Sequence, residues 1–160
     1  NDISAYLAEP FKGIDKVLTV ETSGIAFALG IAQHLGNIPV VFAKKSKSKI
    51  VDETNLYVAE VKSFTRGSVS KISVDRRFLL PGEKILLVDD FLAEGNASLG
   101  LYSMCLEAHC LVEGVAVAIE KSFQGGRARL EALSIPVRSA ANIIGFKEGK
   151  VIFAPEGEKQ

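Results

Sequence analysis

The sequence predicts an α/β domain built on a mainly parallel, twisted sheet flanked by helices. Three observations carry this reading. Apolar runs of strand length alternate with segments of helical period, the order expected of βαβ units. The runs at 39–43, 85–88 and 111–119 are nearly continuous, as strands covered on both faces require. Polar segments follow each of them at 44–49, 89–97 and 120–123, where turns at the carboxyl edge of such a sheet collect ligands.

Each element follows in order. Residues 4–11 place Tyr6, Leu7 and Phe11 at a helical period that ends before Gly13. Residues 16–20 form a short strand, and Glu21, Thr22, Ser23 and Gly24 a polar turn. Residues 25–35 are apolar at helical spacing and stop at Gly36, a C-terminal signal. The strand at 39–43 completes a parallel βαβ unit. Residues 56–64 and 68–74 read as two strands joined around Arg66-Gly67; the alternation at Ile72 and Val74 makes them an antiparallel pair with one wet face. Pro81-Gly82 turns the chain into the strand at 85–88. A helix over 97–108, a strand over 111–119 and a short helix over 124–133 come next. Strands at 135–140 and 150–153 finish the chain, with Gly149 in the turn before the last. The polar tail from Pro155 is expected to fray. There is no repeat or linker, so residues 1–160 are expected to form a single domain.

Composition narrows the function. The chain of 160 residues is 48% apolar and 24% charged, ordinary for a globular domain. Nineteen basic and nineteen acidic residues (19 each) cancel, so no net attraction to nucleic acid or to a membrane surface is expected. No apolar run approaches the ~20 residues of a membrane span, and no signal-peptide pattern opens the sequence. Cys105 and Cys110 lie five apart in an expected helix, on different faces, and read as buried thiols of a cytoplasmic protein. His34 and His109 have no nearby ligand partner with zinc spacing.

The chemistry concentrates in residues 85–98. A buried strand delivers Asp89 and Asp90 side by side, then the small-residue turn Ala93, Glu94, Gly95, Asn96 and Ala97 opens a helix. Paired carboxylates accept hydrogen bonds from two neighbouring hydroxyls. Turn amides and a helix N-terminus hold a phosphate dianion. A phosphorylated pentose satisfies both.

This pattern resembles the signature of phosphoribosyltransferases that use phosphoribosyl pyrophosphate (PRPP). Beyond it, Glu21-Thr22-Ser23-Gly24-Ile25-Ala26, Pro39-Val40-Val41-Phe42-Ala43, Ser63-Phe64-Thr65 and Ile119-Glu120-Lys121-Ser122-Phe123-Gln124 resemble the xanthine phosphoribosyltransferases of bacterial purine salvage. The resemblance implies transfer of a 5-phosphoribosyl group to xanthine, with magnesium on the pyrophosphate. It also implies a homodimer. It gives the ribose hydroxyls to Asp89 and Asp90, the 5-phosphate to the amides of residues 93–97, and the pyrophosphate to those of Glu21 to Gly24. Family members carry a further N-terminal segment that helps to build the purine pocket; that part of the base hood is expected to be absent from this sequence.

Other readings stand beside these roles. Thr22 or Ser23 also suits an ordinary helix N-cap. Lys44 and Lys45 add positive charge for the pyrophosphate, or belong to a solvated basic loop. Glu94, an acid in an anion site, must turn its side chain away from the phosphate. Lys121 is a donor only, which suits a purine carbonyl and not the amine of adenine; otherwise it is a surface lysine paired with Glu120. Phe123 stacks on the base or packs in the core. Ala93 stands where the hypoxanthine–guanine branch carries a carboxylate. A non-catalytic regulator of purine genes with the same fold would show the same acid pair.

Overall fold

A computed structural model describes residues 2–46, 54–62 and 69–155. Ser63-Phe64-Thr65, the far part of the lysine run and the tail beyond Pro155 lie outside the described residues, as does the turn at Arg66-Gly67.

The described chain runs α1 (Asp2–Ala8), β1 (Lys16–Val20), α2 (Gly24–His34), β2 (Val40–Ser46), β3 (Leu56–Lys62), β4 (Val69–Asp75), β5 (Lys84–Leu92), α3 (Asn96–Glu107), β6 (Leu111–Lys121), α4 (Gly126–Glu131), β7 (Val137–Lys147) and β8 (Lys150–Phe153). One eight-stranded sheet has the order β3-β4-β2-β1-β5-β6-β7-β8. The five central strands, β2 to β7, are parallel; β3 and β4 form an antiparallel extension at one edge and β8 a hairpin at the other. Val17, Leu86, Val88 and Ala116 pack on α1 and α2, while Leu18, Leu87, Val115 and Val117 pack in the cluster that includes α3. The central strands are thus buried on both faces, which is why their sequences are apolar without alternation.

Several boundaries differ from the sequence reading, each for a physical reason. β5 does not stop at Val88: it runs through both aspartates to Leu92, because β6 pairs with it as far as Leu92 whereas β1 pairs only up to Val88. The last four residues of β5 therefore leave one edge open, beside the turn between β1 and α2. β6 likewise carries Glu120 and Lys121 inside the strand. The helix expected over 124–133 is divided: a 3-10 turn spans Ser122–Gln124, Gly125 is left-handed (φ 78°), and only Gly126–Glu131 is α-helical. The strand expected at 135–140 is longer, because β8 folds back on it through the left-handed pair Glu148-Gly149. Cys110 lies beyond the end of α3, and both cysteines are free and buried.

Candidate active site

Asp89 and Asp90 are half-buried near the carboxyl end of β5. The Asp90 amide donates to Asp89 Oδ1 at 2.9 Å, and the Phe91 amide to Asp90 Oδ1 at 3.0 Å. Burial pushes the Asp89 carboxyl up to about 7, and its side-chain hydrogen bond with Asp90 adds to the rise. The Asp90 amide and the Lys45 cation oppose it only in part. The two acids thus sit in one partly dehydrated place and share hydrogen bonding.

The turn between β1 and α2 closes against this pair. A Cβ on Gly24 would lie 2.4 Å from Thr19 Oγ1 and 3.1 Å from Asp89 Oδ1, so only glycine lets the start of α2 come this close. Thr22 and Ser23 are exposed. Ser23 stands at the N-cap position of α2, but its backbone is in the αR region and its side chain makes no cap bond. The Thr19 hydroxyl is fully buried, with no hydrogen-bond partner among the described residues, directly under Gly24.

Lys44 and Lys45 fall within β2 rather than in a loop, both exposed. Successive strand residues point to opposite faces. It is Lys45 whose charge acts on Asp89, while its own amide is bonded to Glu21 Oε1.

The turn after β5 is built to offer amides. Its carbonyls are engaged in succession: Ala93 O accepts from Gly126 N at 3.0 Å, Glu94 O from Arg129 Nη1 at 2.6 Å, and Gly95 O from Leu99 N at 2.9 Å. Among the described residues, the amides of Glu94, Gly95, Asn96 and Ala97 donate to no protein acceptor. Gly95 is left-handed (φ 79°) and Asn96 opens α3, so free amides gather at the positive end of that helix. The Glu94 carboxylate is occupied by Asn96 Nδ2 at 3.0 Å.

Lys121 ends β6 with its ammonium 5.1 Å from the centre of the Phe91 ring. It is not paired with Glu120, which is only 1% exposed and is bound by Arg127 Nε at 2.8 Å and Ser139 Oγ at 2.9 Å. Phe123 is half exposed and meets Phe146 edge-to-face at 5.9 Å, so it forms a lip and does not belong to the core. The sequence reading missed Phe91, Phe146, Gly126, Arg127 and Arg129. The one signal available for the last three was the Gly125-Gly126 pair.

A strand with two neighbouring acids, a turn of amides at a helix start and a glycine turn beside them thus meet at the carboxyl edge of a parallel sheet. The chain belongs to the phosphoribosyl transferase domain family, whose model matches residues 3–124. It is 47% identical over 154 residues to xanthine phosphoribosyltransferase of Streptococcus thermophilus, covering 95% of this chain and 79% of that one. It is 44% identical over 155 residues to xanthine phosphoribosyltransferase of Laribacter hongkongensis, covering 96% and 81%. Among solved structures, adenine phosphoribosyltransferase of Rhodothermus marinus superposes with a TM-score of 0.75 at 26% identity, over 88% of this chain and 77% of that chain.

Proposed function

We propose that this chain transfers the 5-phosphoribosyl group of PRPP to xanthine, releasing pyrophosphate and forming xanthosine monophosphate. The observation that carries the reading is the meeting of the Asp89–Asp90 pair with four amides leading into α3 that, among the described residues, donate to no protein acceptor.

The assignment follows the chemistry. C1 of the ribose becomes cation-like as pyrophosphate leaves. Asp89 and Asp90 accept from the two ring hydroxyls and hold negative charge near the developing cation. The amides of Glu94, Gly95, Asn96 and Ala97, with Ala93 starting the turn, fix the 5-phosphate and hence the position of C1. Thr22, Ser23 and Gly24 form the turn beside the acids where the pyrophosphate departs, and Lys45, the lysine of the pair whose charge acts on Asp89, adds positive charge. Asp89 and Asp90 offer hard carboxylate oxygens, a donor chemistry suited to magnesium held by phosphate and water. When bound, the ion neutralises the leaving group.

Lys121 donates to a purine carbonyl, and Phe123 packs on the base from the lip it shares with Phe146. The lysine favours an oxopurine over adenine, although the matched solved structure is of an adenine enzyme. With Ala93 at the head of the turn there is no carboxylate beside purine N7. This separates the chain from the hypoxanthine–guanine branch and leaves proton removal to water.

A homodimer and a cytoplasmic location belong to the same proposal; two free, buried thiols suit a reducing compartment. No helix of the described residues is long and apolar enough to cross a membrane. Pyrophosphate release with xanthine, guanine, hypoxanthine and adenine tests the reading, with xanthine expected fastest. Binding of PRPP without release would instead mark a regulator.

A further inference from the structure

The short helix α4 touches the phosphate turn at two points. Gly126 N donates to Ala93 O at 3.0 Å, and a Cβ on Gly126 would lie 2.3 Å from that same oxygen. One turn on, Arg129 Nη1 donates to both Glu94 O at 2.6 Å and Asn96 Oδ1 at 2.9 Å. The Asn96 side chain is held from its other end, Nδ2 donating to Lys62 O at 3.1 Å.

A trans peptide is planar, with its N–H opposite its C=O. A guanidinium that fixes the Glu94 carbonyl therefore fixes the direction of the Gly95 amide. Left-handed Gly95 lacks the steric limits that would set this plane by itself. Among the described residues, Arg129 is also the one group that joins the carbonyl before Gly95 to the side chain after it.

We propose that Arg129 is a positioning residue for the 5-phosphate. It reaches the ligand through the backbone it orients and keeps the Gly95 and Asn96 amides aimed together. This inference rests on the PRPP-binding reading above and adds a residue to it. Lysine is a poor substitute, because one ammonium on a flexible stem does not hold two acceptors in a fixed fork.

The test is calorimetric titration of wild type, Arg129→Gln and Arg129→Lys with ribose 5-phosphate and, separately, with magnesium pyrophosphate, beside steady-state kinetics. Both variants are expected to bind ribose 5-phosphate about tenfold more weakly, the effect of losing an oriented charged donor. Pyrophosphate affinity stays at the wild-type value, and KM for PRPP rises more than kcat falls. Equal weakening of both ligands would show a general structural role and overturn the proposal. Full recovery in Arg129→Lys would show that charge alone suffices and overturn it too, as would unchanged affinity in both variants. Failure of wild type to bind ribose 5-phosphate would instead sink the PRPP reading, and this inference with it.

Discussion

The ammonium of Lys121 lies 5.1 Å from the centre of the Phe91 ring, holding the last residue of β6 over the strand that carries the acid pair. A cation over an aromatic face is attracted by the ring's quadrupole, which limits the rotamers of the lysine. Lys121, proposed above to recognise the base, is therefore placed by Phe91, the residue that directly follows Asp90.

Lys121→Met keeps the length of the side chain and removes the donors. It is expected to lower kcat/KM for xanthine about 10- to 200-fold, the range for losing a hydrogen bond to a charged group. The rate with adenine is expected not to fall. Initial rates with both bases check this, and an equal loss for both would remove Lys121 from base selection.

Asp89 makes the folded protein sensitive to pH. Its carboxyl titrates at about 7 when folded, against 3.8 for the ordinary group. Between these values the native state holds a proton that the unfolded state has lost. Stability therefore falls as pH rises through this window. The destabilisation is complete above about pH 7 and absent below about pH 4. At about 1.4 kcal/mol per pKa unit the upper bound is roughly 4 kcal/mol; partial solvent access reduces it to on the order of 1–2 kcal/mol. Asp89→Asn should accordingly be more stable than wild type at pH 8, with the gap closing toward pH 4. Urea unfolding across that range measures it, and a gap that widens on acidification has the wrong sign.

Gly24→Ala tests the closeness of the glycine turn. The added methyl meets Thr19 Oγ1 and then the Asp89 carboxylate. Overpacking of this kind costs about 1–3 kcal/mol. Thr19→Ala in the same chain removes the nearer obstacle and is expected to recover about 1 kcal/mol of that loss in a double-mutant cycle. Additive effects would mean that the two residues are not in contact.

The acids around Arg127 should differ sharply in worth. Glu120 is buried against it, whereas Glu131, at 3.4 Å, has an exposed side chain. Glu120→Gln is expected to cost about 3 kcal/mol, because it leaves a partly buried guanidinium without its counter-charge. Glu131→Gln is expected to cost less than about 0.5 kcal/mol. Thermal unfolding of the two variants compares them directly.

The parts of the candidate site that lie close together in sequence were legible in it. Asp89, Asp90 and the turn to Ala97 announce themselves because an apolar strand, two acids and small residues have few joint uses. The parallel core was legible because strands covered on both faces are apolar without alternation. What escaped depends on pairing over distance. Lys44 and Lys45 are neighbours, and the pleat of β2 gives them opposite faces; only the pairing of β2 with β1 and β4 decides which one reaches Asp89. Glu120 looked like an edge residue because glutamate is seldom buried, and Arg127, seven residues on, compensates it across a turn whose shape two glycines set. Arg129 had only the nearby Gly125-Gly126 pair to point to it, since its partners are a carbonyl and an amide from residues 94 and 96.

The most direct measurement is pyrophosphate release from PRPP in the presence of xanthine, by wild type and by the double variant Asp89→Asn, Asp90→Asn. The account predicts release that depends on xanthine in wild type and falls about 100-fold or more in the variant, which keeps its fold by circular dichroism. Release that continues undiminished without the two carboxylates, or that never depends on the base, would contradict it.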